Sequence, residues 1–296
     1  MENREYVILT DSTCDMDNHY YTVNNVEVIG LHYTIDHQNY IQCSNKDMDT
    51  KSFYDRVRRG SMPETTPLTY EEATNALEKF AKEGTDVFFL TFSGGLSSSY
   101  QNVQIAAEDL MSKYPEWSIK VVDSLSATCG QGLLLHLCIK KRNAGASIDE
   151  LVKYAERMRS HVVHLFTVDD LNHLHRGGRL SKMSAIMGSI LHVKPMLYVD
   201  DNGKLGTYAK AKGRKKALEM LAENMKATYL PEENEEIFIS HSDSAEDAEY
   251  LGSVIIKLMP DVKRIRYLKL GPVIGAHAGA DTVVVAFIGK NRLPVE

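Results

Sequence analysis

The chain has 296 residues, of which 43% are hydrophobic and 25% charged, and its formal net charge at pH 7 is −6. This composition is that of a globular protein with a substantial core, and the negative charge argues against nucleic acid as a general partner. No apolar run reaches transmembrane length, no basic-then-apolar signal segment opens the chain, and the four cysteines are scattered without a CxxC pair. We therefore expect a cytoplasmic protein without a disulfide framework, a metal site or a cofactor.

Strands and helices are predicted to alternate through the first part of the chain, as expected for a mainly parallel sheet whose ligands bind beyond the carboxyl ends of the strands. In chain order, the predicted elements are strands 5–10 and 26–30, with 31–35 extending or following the second, helices 48–60 and 70–82, strand 86–91, helix 101–111, strand 117–123, and helices 133–141 and 147–158. Residues 63–67 are predicted to form a turn held by two prolines.

The rest of the chain is predicted to form a mixed sheet covered by helices. Its predicted elements are strand 161–168, helices 170–176 and 181–191, strands 193–199 and 204–209 joined by a hairpin turn at 200–203, helix 214–227, strand 236–240, helix 245–259, and strands 262–270 and 282–288. We expect two α/β domains, 1–160 and 161–296, although one large α/β domain of this length is the alternative.

A Gly/Ser-rich stretch at 91–100, TFSGGLSSSY, joins a buried-strand run to residues with helical spacing. At such a junction, backbone N–H groups and the positive end of a helix dipole face one point, and Ser93 and Ser97 add hydroxyl donors. We interpret the stretch as a site for an anionic group, such as a phosphate or a carboxylate. The alternative is serine N-capping of the helix without a ligand. Two other strand-end loops, 11–13 and 124–128, also carry serine and threonine.

Familiar catalytic motifs are missing: there is no Walker A sequence, and 91–100 is not a G-x-S-x-G elbow. Basic residues concentrate between 176 and 216, and most of them are interpreted as solvated helix surface. Arg176 and Arg179 flank a Gly-Gly turn, where a fixed guanidinium would pair with an anion or an acidic partner. His277 lies in a glycine-framed segment, 271–279, which is predicted to be a loop.

Together, these stretches resemble the DegV family of fatty-acid-binding proteins over nearly the whole chain. The matching segments are 11–15, 65–67, 93–101, 122–127, 130–132, 174–182, 194–195, 212–216 and 271–277. Each motif is modest, and their order and spacing carry the resemblance.

The resemblance implies an N-terminal three-layer domain with a parallel sheet, a C-terminal mixed-sheet α/β domain, and a long-chain fatty acid held between them. It assigns the carboxylate to Thr65 or Thr66 and to Ser97, with Ser93 in the same loop. It also implies a non-catalytic role, in which the protein presents the acyl carboxylate to a separate ATP-binding fatty acid kinase. The residues implied in presentation and docking are Arg176, Arg214 and His277. Acyl exchange would involve transient contact with a membrane.

Burying an acyl chain requires an enclosed apolar tunnel, for which we name Ile186, Met187 and Ile190 as candidate walls, with ordinary core packing as the alternative for each. A 16-carbon chain would gain about 10 kcal/mol at ~0.8 kcal/mol per CH₂, before the costs of binding. Hydroxyls and helix N–H groups are expected to satisfy the carboxylate without a cation. Two alternatives stay open: a lipid carrier or regulator with no phosphorylation role, and, less favoured, an enzyme acting alone on a small phosphorylated or acyl substrate.

Overall fold

The computed structural model describes residues 5–43, 48–180 and 193–293. Within these ranges, the strands are β1 (Tyr6–Asp11), β2 (Val26–Ile29), β3 (His32–Ile35), β4 (Gln38–Ile41), β5 (Glu64–Thr66), β6 (Asp86–Thr91), β7 (Ile119–Asp123), β8 (Val162–Thr167), β9 (Val193–Val199), β10 (Leu205–Lys212), β11 (Ile237–His241), β12 (Ile265–Lys269) and β13 (Val283–Ile288). The α-helices are α1 (Asn18–Val23), α2 (Thr50–Arg58), α3 (Tyr70–Glu83), α4 (Ser99–Lys113), α5 (Thr128–Asn143), α6 (Ile148–Arg159), α7 (Leu171–Arg176), α8 (Arg214–Thr228), α9 (Ala245–Leu258) and α10 (Pro272–Ala278). The predicted helix 181–191 lies outside the described residues, as do Ile186, Met187 and Ile190.

The first sheet is parallel, as predicted, with strand order β2-β1-β6-β7. Its central strand β6 is buried along its whole length, and its side chains alternate between two cores. Phe89 packs with α3 and α4 on one face, whereas Phe88 and Leu90 belong to the core on the other face. The sheet therefore forms the middle of three layers, and the carboxyl ends of β1, β6 and β7 meet at one edge.

The second sheet is mixed, with strand order β10-β9-β8-β13-β11-β12, and only β11 and β12 run parallel within it. The predicted hairpin at 200–203 joins β9 to β10. Asp200 holds its turn by accepting hydrogen bonds from the Asn202 and Lys204 amides, and Gly203 supplies the positive φ of 71°. Helices α8 and α9 cover one face of this sheet, and α5 contacts β8, β11 and β13.

Helix α5 thus packs against the second sheet although it precedes residue 160 in the chain. It also begins five residues earlier than the predicted helix 133–141, so that Gly130 and Gly132 lie within its first turns, where they allow close packing. A Cβ on Gly130 would lie 1.7 Å from His164 Nε2, and one on Gly132 would lie 2.9 Å from the Cys14 carbonyl oxygen. The division at residue 160 remains a prediction, and α5 joins the two parts on either side of it.

A small antiparallel sheet, in the order β4-β3-β5, was not predicted as such. Residues 64–66 form strand β5 instead of part of a proline-held turn, because Thr65 pairs with Tyr33 on β3. The segment 271–279 is also not a loop: α10 begins at Pro272, where a missing N–H costs nothing, and ends before Gly279, whose φ is 79°. Because α10 packs on β3 and β5, the small sheet brings Thr65 next to His277.

Candidate carboxylate and acyl-chain site

A cavity with an empty volume of about 780 Å³, solvent at its mouth included, is lined by residues from the mixed sheet, the small sheet, α10 and the segments that follow the strands of the parallel sheet. Most of its walls are apolar. The apolar lining residues are Leu31, Pro67, Phe92, Leu96, Ala127, Phe166, Leu174, Val199, Leu205, Leu270, Val273, Ile274, Ala278 and Val284. The polar lining residues are Thr65, Thr66, Ser97, Thr128, His164, Arg179, His277 and Thr282. Such a cavity suits a mainly apolar ligand with a polar group at one place.

Ser97 lies at the N-terminal end of α4, in the loop that follows β6. Its amide donates to the Ser93 carbonyl at 3.2 Å, and its Oγ accepts the Ser99 amide at 3.2 Å and lies 3.0 Å from Ser99 Oγ. Ser99 Oγ in turn accepts the Leu68 amide at 3.0 Å, which ties this loop to the chain just after Thr65 and Thr66. Ser97 therefore holds the turn that leads into α4, whose N-cap residue Ser98 makes no side-chain capping bond, and Ser97 also lines the cavity.

Thr65 and His277 form the second part of the site. Thr65 Oγ1 lies 2.8 Å from His277 Nε2, and His277 Nδ1 is buried without a hydrogen-bond partner among the residues that the structure describes. Burial, with a smaller contribution from the charge of Arg179, lowers the pKa of His277 from 6.5 to about 4, so the ring is neutral near pH 7. A proton on Nδ1 would leave a buried N–H without an acceptor, whereas a proton on Nε2 donates to Thr65. The Thr65 hydroxyl can then donate its own hydrogen into the cavity.

Arg179 also lines the cavity beside this group, and the expectation that the carboxylate is satisfied without a cation stays a prediction. Its guanidinium donates from Nε to the Leu96 carbonyl at 3.0 Å and from a terminal nitrogen to the Gly177 carbonyl. Gly177 in turn touches His277, since a Cβ on this glycine would lie 2.1 Å from Nδ1. A continuous set of contacts therefore runs from the Ser97 loop through Arg179 to His277 and Thr65.

Several other predicted residues lie away from this group. Thr66 lines the cavity, but Ser93 does not: its Oγ donates to the Gly203 carbonyl at 2.8 Å and so holds the β9–β10 hairpin. Arg176 is exposed beside His173, and Arg214 binds Asp247 and the Asp281 carbonyl. The structure thus brings together Thr65, Thr66, Ser97 and His277, and it leaves Ser93, Arg176 and Arg214 outside the cavity.

Four polar lining residues, Thr128, His164, Arg179 and Thr282, were not selected from the sequence as site residues. Arg179 was noted beside the Gly-Gly turn together with Arg176, and their spacing did not indicate which of the two faces a cavity. Thr128 and His164 are buried where α5 packs on the mixed sheet: Thr128 Oγ1 lies 3.1 Å from Ser240 Oγ, and His164 Nε2 accepts the Ala127 amide at 3.5 Å. Burial lowers the pKa of His164 to about 3, so this ring is also neutral near pH 7. A histidine opposite a helix glycine gives no sequence signal for this contact.

Comparison with known proteins shows the family. Residues 5–290 match the family model described as "Uncharacterised protein, DegV family". The chain belongs to the DegV family. Among DegV relatives, a DegV domain-containing protein of Clostridium perfringens is 40% identical over 291 residues, which cover 98% of this chain and 100% of that protein.

Solved structures of DegV proteins share the fold. The fatty-acid-binding DegV protein of Streptococcus agalactiae is 28% identical, with a TM-score of 0.83, and the match covers 97% of this chain and 100% of that chain. A fatty-acid-binding DegV protein of Thermus thermophilus is 25% identical, with a TM-score of 0.84, over 96% and 99% of the two chains. These matches confirm the α/β fold with a parallel sheet and a separate mixed sheet.

Two negative findings apply to the part of the chain that the structure describes. No cluster of three or more His, Cys, Asp or Glu residues there could hold a metal ion. Every helix in the same ranges is too short or too polar to span a bilayer.

Proposed function

We propose that this DegV protein binds one long-chain fatty acid in the cavity, with the carboxylate at Thr65, Thr66 and Ser97 and the acyl chain against the apolar walls. The observation that carries this proposal is the continuous set of contacts from the Ser97 loop through Arg179 to His277 and Thr65, at the wall of a mainly apolar cavity. The two fatty-acid-binding relatives described above have the same fold and support it.

The free energy of burying the headgroup favours an acid over a neutral lipid at this site. Burying a carboxylate costs several kcal/mol unless its oxygens accept hydrogen bonds. Thr65, backed by the neutral His277 ring, and Ser97 are hydroxyl donors, and Arg179 places a positive charge beside them. Hydrogen bonds to a charged acceptor contribute about 1.5–3 kcal/mol each, so two or three of them offset that cost. The acyl chain then supplies most of the affinity.

The binding test uses the delipidated protein and hexadecanoic acid, with affinity measured by titration calorimetry. The double variant Thr66→Ala, Ser97→Ala should bind the acid at least about tenfold more weakly and keep its fold, because each lost hydroxyl removes a donor to a charged group. Ser112→Ala is the matched control: it removes a serine hydroxyl that bonds the Glu108 carbonyl at the far end of α4. Wild-type affinity in the double variant would remove these hydroxyls from the site, and no uptake by the wild type would refute fatty-acid binding altogether.

We further propose that the protein presents the bound acid to a separate ATP-dependent kinase, which forms the acyl phosphate. Arg176 is the preferred docking residue because it is exposed close to Arg179, whereas the Arg214 guanidinium is already engaged by Asp247 and Asp281. Arg176→Glu should keep hexadecanoic acid binding and lower acyl phosphate formation with a cognate kinase. Arg157→Glu, on exposed α6 surface, is the control. Normal binding without phosphorylation by any partner kinase would favour a carrier or regulator instead.

A further inference from the structure

Two buried aspartates hold the loop that carries Ser97. Asp11 ends β1 and Asp123 ends β7, and these strands flank β6 on its two sides. Asp11 Oδ2 accepts the Phe92 amide at 2.7 Å, and both oxygens of Asp123 accept the Gly94 amide at 3.1 and 3.2 Å. The loop after β6 is therefore held from both neighbouring strands at its first and third residues.

Each aspartate also fixes its own strand-end loop. Asp11 Oδ1 accepts hydrogen bonds from the Thr13 amide at 3.0 Å, from the Thr13 hydroxyl and from Gln131 Nε2 at 3.4 Å. Asp123 Oδ1 accepts the Leu125 amide at 2.8 Å. These bonds connect the three Ser/Thr-rich strand-end loops that stand out in the sequence.

Both carboxyl groups are nearly inaccessible to solvent, with 2% of Asp11 and 9% of Asp123 exposed. Burial raises the pKa of Asp11 and of Asp123, which means that their charged forms are costly in this environment. Neither residue lines the cavity, so neither contacts a ligand there. Each of the two aspartates instead supplies fixed acceptors for backbone N–H groups around the Ser97 loop.

We propose that Asp11 and Asp123 are positioning residues for recognition of the acid headgroup, acting by fixing the loop 92–97 so that the Ser97 hydroxyl meets the carboxylate. This inference rests on the proposed fatty-acid binding. It goes beyond that function because it predicts that two residues without ligand contact set the preference for an acid over an uncharged lipid of the same length.

Replacing Asp11 with asparagine tests this with almost no change in shape. Asp11 directs one oxygen to Phe92 and the other to Thr13 and Gln131, and all of these groups are donors. An asparagine has one acceptor oxygen, so its NH₂ group must face one of those donors. The loop then shifts or loses a bond, and Ser97 moves with it. Asp123→Asn perturbs the same loop from its other side and gives an independent test if Asp11→Asn folds poorly.

The measurement is the ratio of affinities for hexadecanoic acid and 1-hexadecanol, which have the same chain and differ at the headgroup. In both variants, the affinity for the acid should fall roughly tenfold, whereas the affinity for the alcohol should change little. The reason is that a displaced Ser97 loses a hydrogen bond to the charged carboxylate of the acid, which the alcohol lacks. A purely structural role would lower both affinities together and leave the ratio unchanged. Amide hydrogen exchange at Phe92 and Gly94 should also accelerate in the variant that loses the corresponding bond.

Asp86→Asn is the matched control. Asp86 is also a buried aspartate, 6% exposed, and it accepts one backbone amide, that of Ser118, at 2.9 Å. It lies at the opposite end of β6, away from the cavity, so its variant should keep the wild-type affinity ratio. An unchanged ratio in both Asp11→Asn and Asp123→Asn, with a wild type that binds the acid, overturns this inference alone. A wild type that binds no acid overturns the proposed function and this inference with it.

Discussion

Gly177→Ala is expected to break the contact between Thr65 and His277 without straining the backbone. Gly177 has φ −68° and ψ −8°, a conformation that alanine adopts readily. A Cβ at this position would lie 2.1 Å from His277 Nδ1 and 3.1 Å from its Cε1. Since real Cβ contacts are rarely shorter than 3.4 Å, the ring has to move by more than 1 Å. The ring then cannot keep the position in which Nε2 lies 2.8 Å from Thr65 Oγ1, so this hydrogen bond is lost or distorted.

The expected losses of stability and of affinity in Gly177→Ala follow from the two contacts that change. Overpacking a well-packed site costs about 1–3 kcal/mol of stability, and the loss of the hydrogen bond leaves the Thr65 hydroxyl without its fixed orientation. We expect the dissociation constant for hexadecanoic acid to rise roughly tenfold, which corresponds to ~1.4 kcal/mol. Titration calorimetry measures the affinity, and thermal denaturation measures the loss of stability.

The neighbouring residue supplies the control. A Cβ on Gly178 would meet nothing within 4 Å, but its φ of 72° is unfavourable for alanine. Gly178→Ala should therefore cost about 1–2 kcal/mol of stability through the backbone alone and leave acid binding unchanged. If Gly177→Ala keeps the wild-type affinity, or if both variants weaken binding equally, the contact between Thr65 and His277 does not serve headgroup binding.

Three further predictions concern charge and pH. Because the pKa of His277 is lowered to about 4, the folded protein binds fewer protons than the unfolded chain between pH 4 and 6.5, and stability falls as the pH drops through this window. Between about pH 7 and pH 5, the His277→Gln variant should therefore lose about 2 kcal/mol less stability than the wild type, as measured by urea titrations. Burial raises the pKa of Asp15 to about 7, so the folded protein keeps a proton that the unfolded chain releases, and stability falls as the pH rises from about 4 to 7. Asp15→Asn should therefore become more stable relative to wild type over that window, again measured with urea. Arg58 bonds Asp243 and Asp281 but is 34% exposed, so Arg58→Gln should cost about 1 kcal/mol or less in thermal denaturation, with a smaller cost at high salt.

The predicted elements that proved right are those whose pattern reflects their own burial. Strand β6 is a continuous apolar run because both of its faces are covered, and the loop and helix after it have the predicted order. The hairpin at 200–203 is specified by Asp200 and Gly203, which form the turn by themselves. In each case, a local sequence signal and the tertiary structure agree, and so the sequence alone was sufficient.

The elements that were missed depend on partners distant in the chain. Strand β5 is three residues long, and it exists because Thr65 pairs with Tyr33. Helix α10 has seven residues, and Gly275 lets the Tyr54 hydroxyl approach, since a Cβ there would lie 2.3 Å from it. Hydrophobic periodicity carries no information about such contacts. Thr65 and the role of His277 were accordingly named from the family resemblance, whereas the loop 91–100 with Ser97 was identified from its own residues.

In the proposed headgroup site, the Arg179 charge supports hydroxyl groups that would bind the carboxylate. Two of its five N–H groups are directed to the Leu96 and Gly177 carbonyls, so the guanidinium fixes the Ser97 loop and the turn beside His277 at the same time. Its charge also contributes to the lowered pKa of His277 and so keeps that ring neutral. A neutral ring with its proton on Nε2 donates to Thr65 and leaves the Thr65 hydroxyl hydrogen free for an acid, whereas a protonated ring would bury an additional N–H without an acceptor. In the proposed site the arginine therefore acts through the Ser97 loop and His277, and removing its charge should raise the pKa of His277, which burial still holds below 6.5, and release the Leu96 carbonyl.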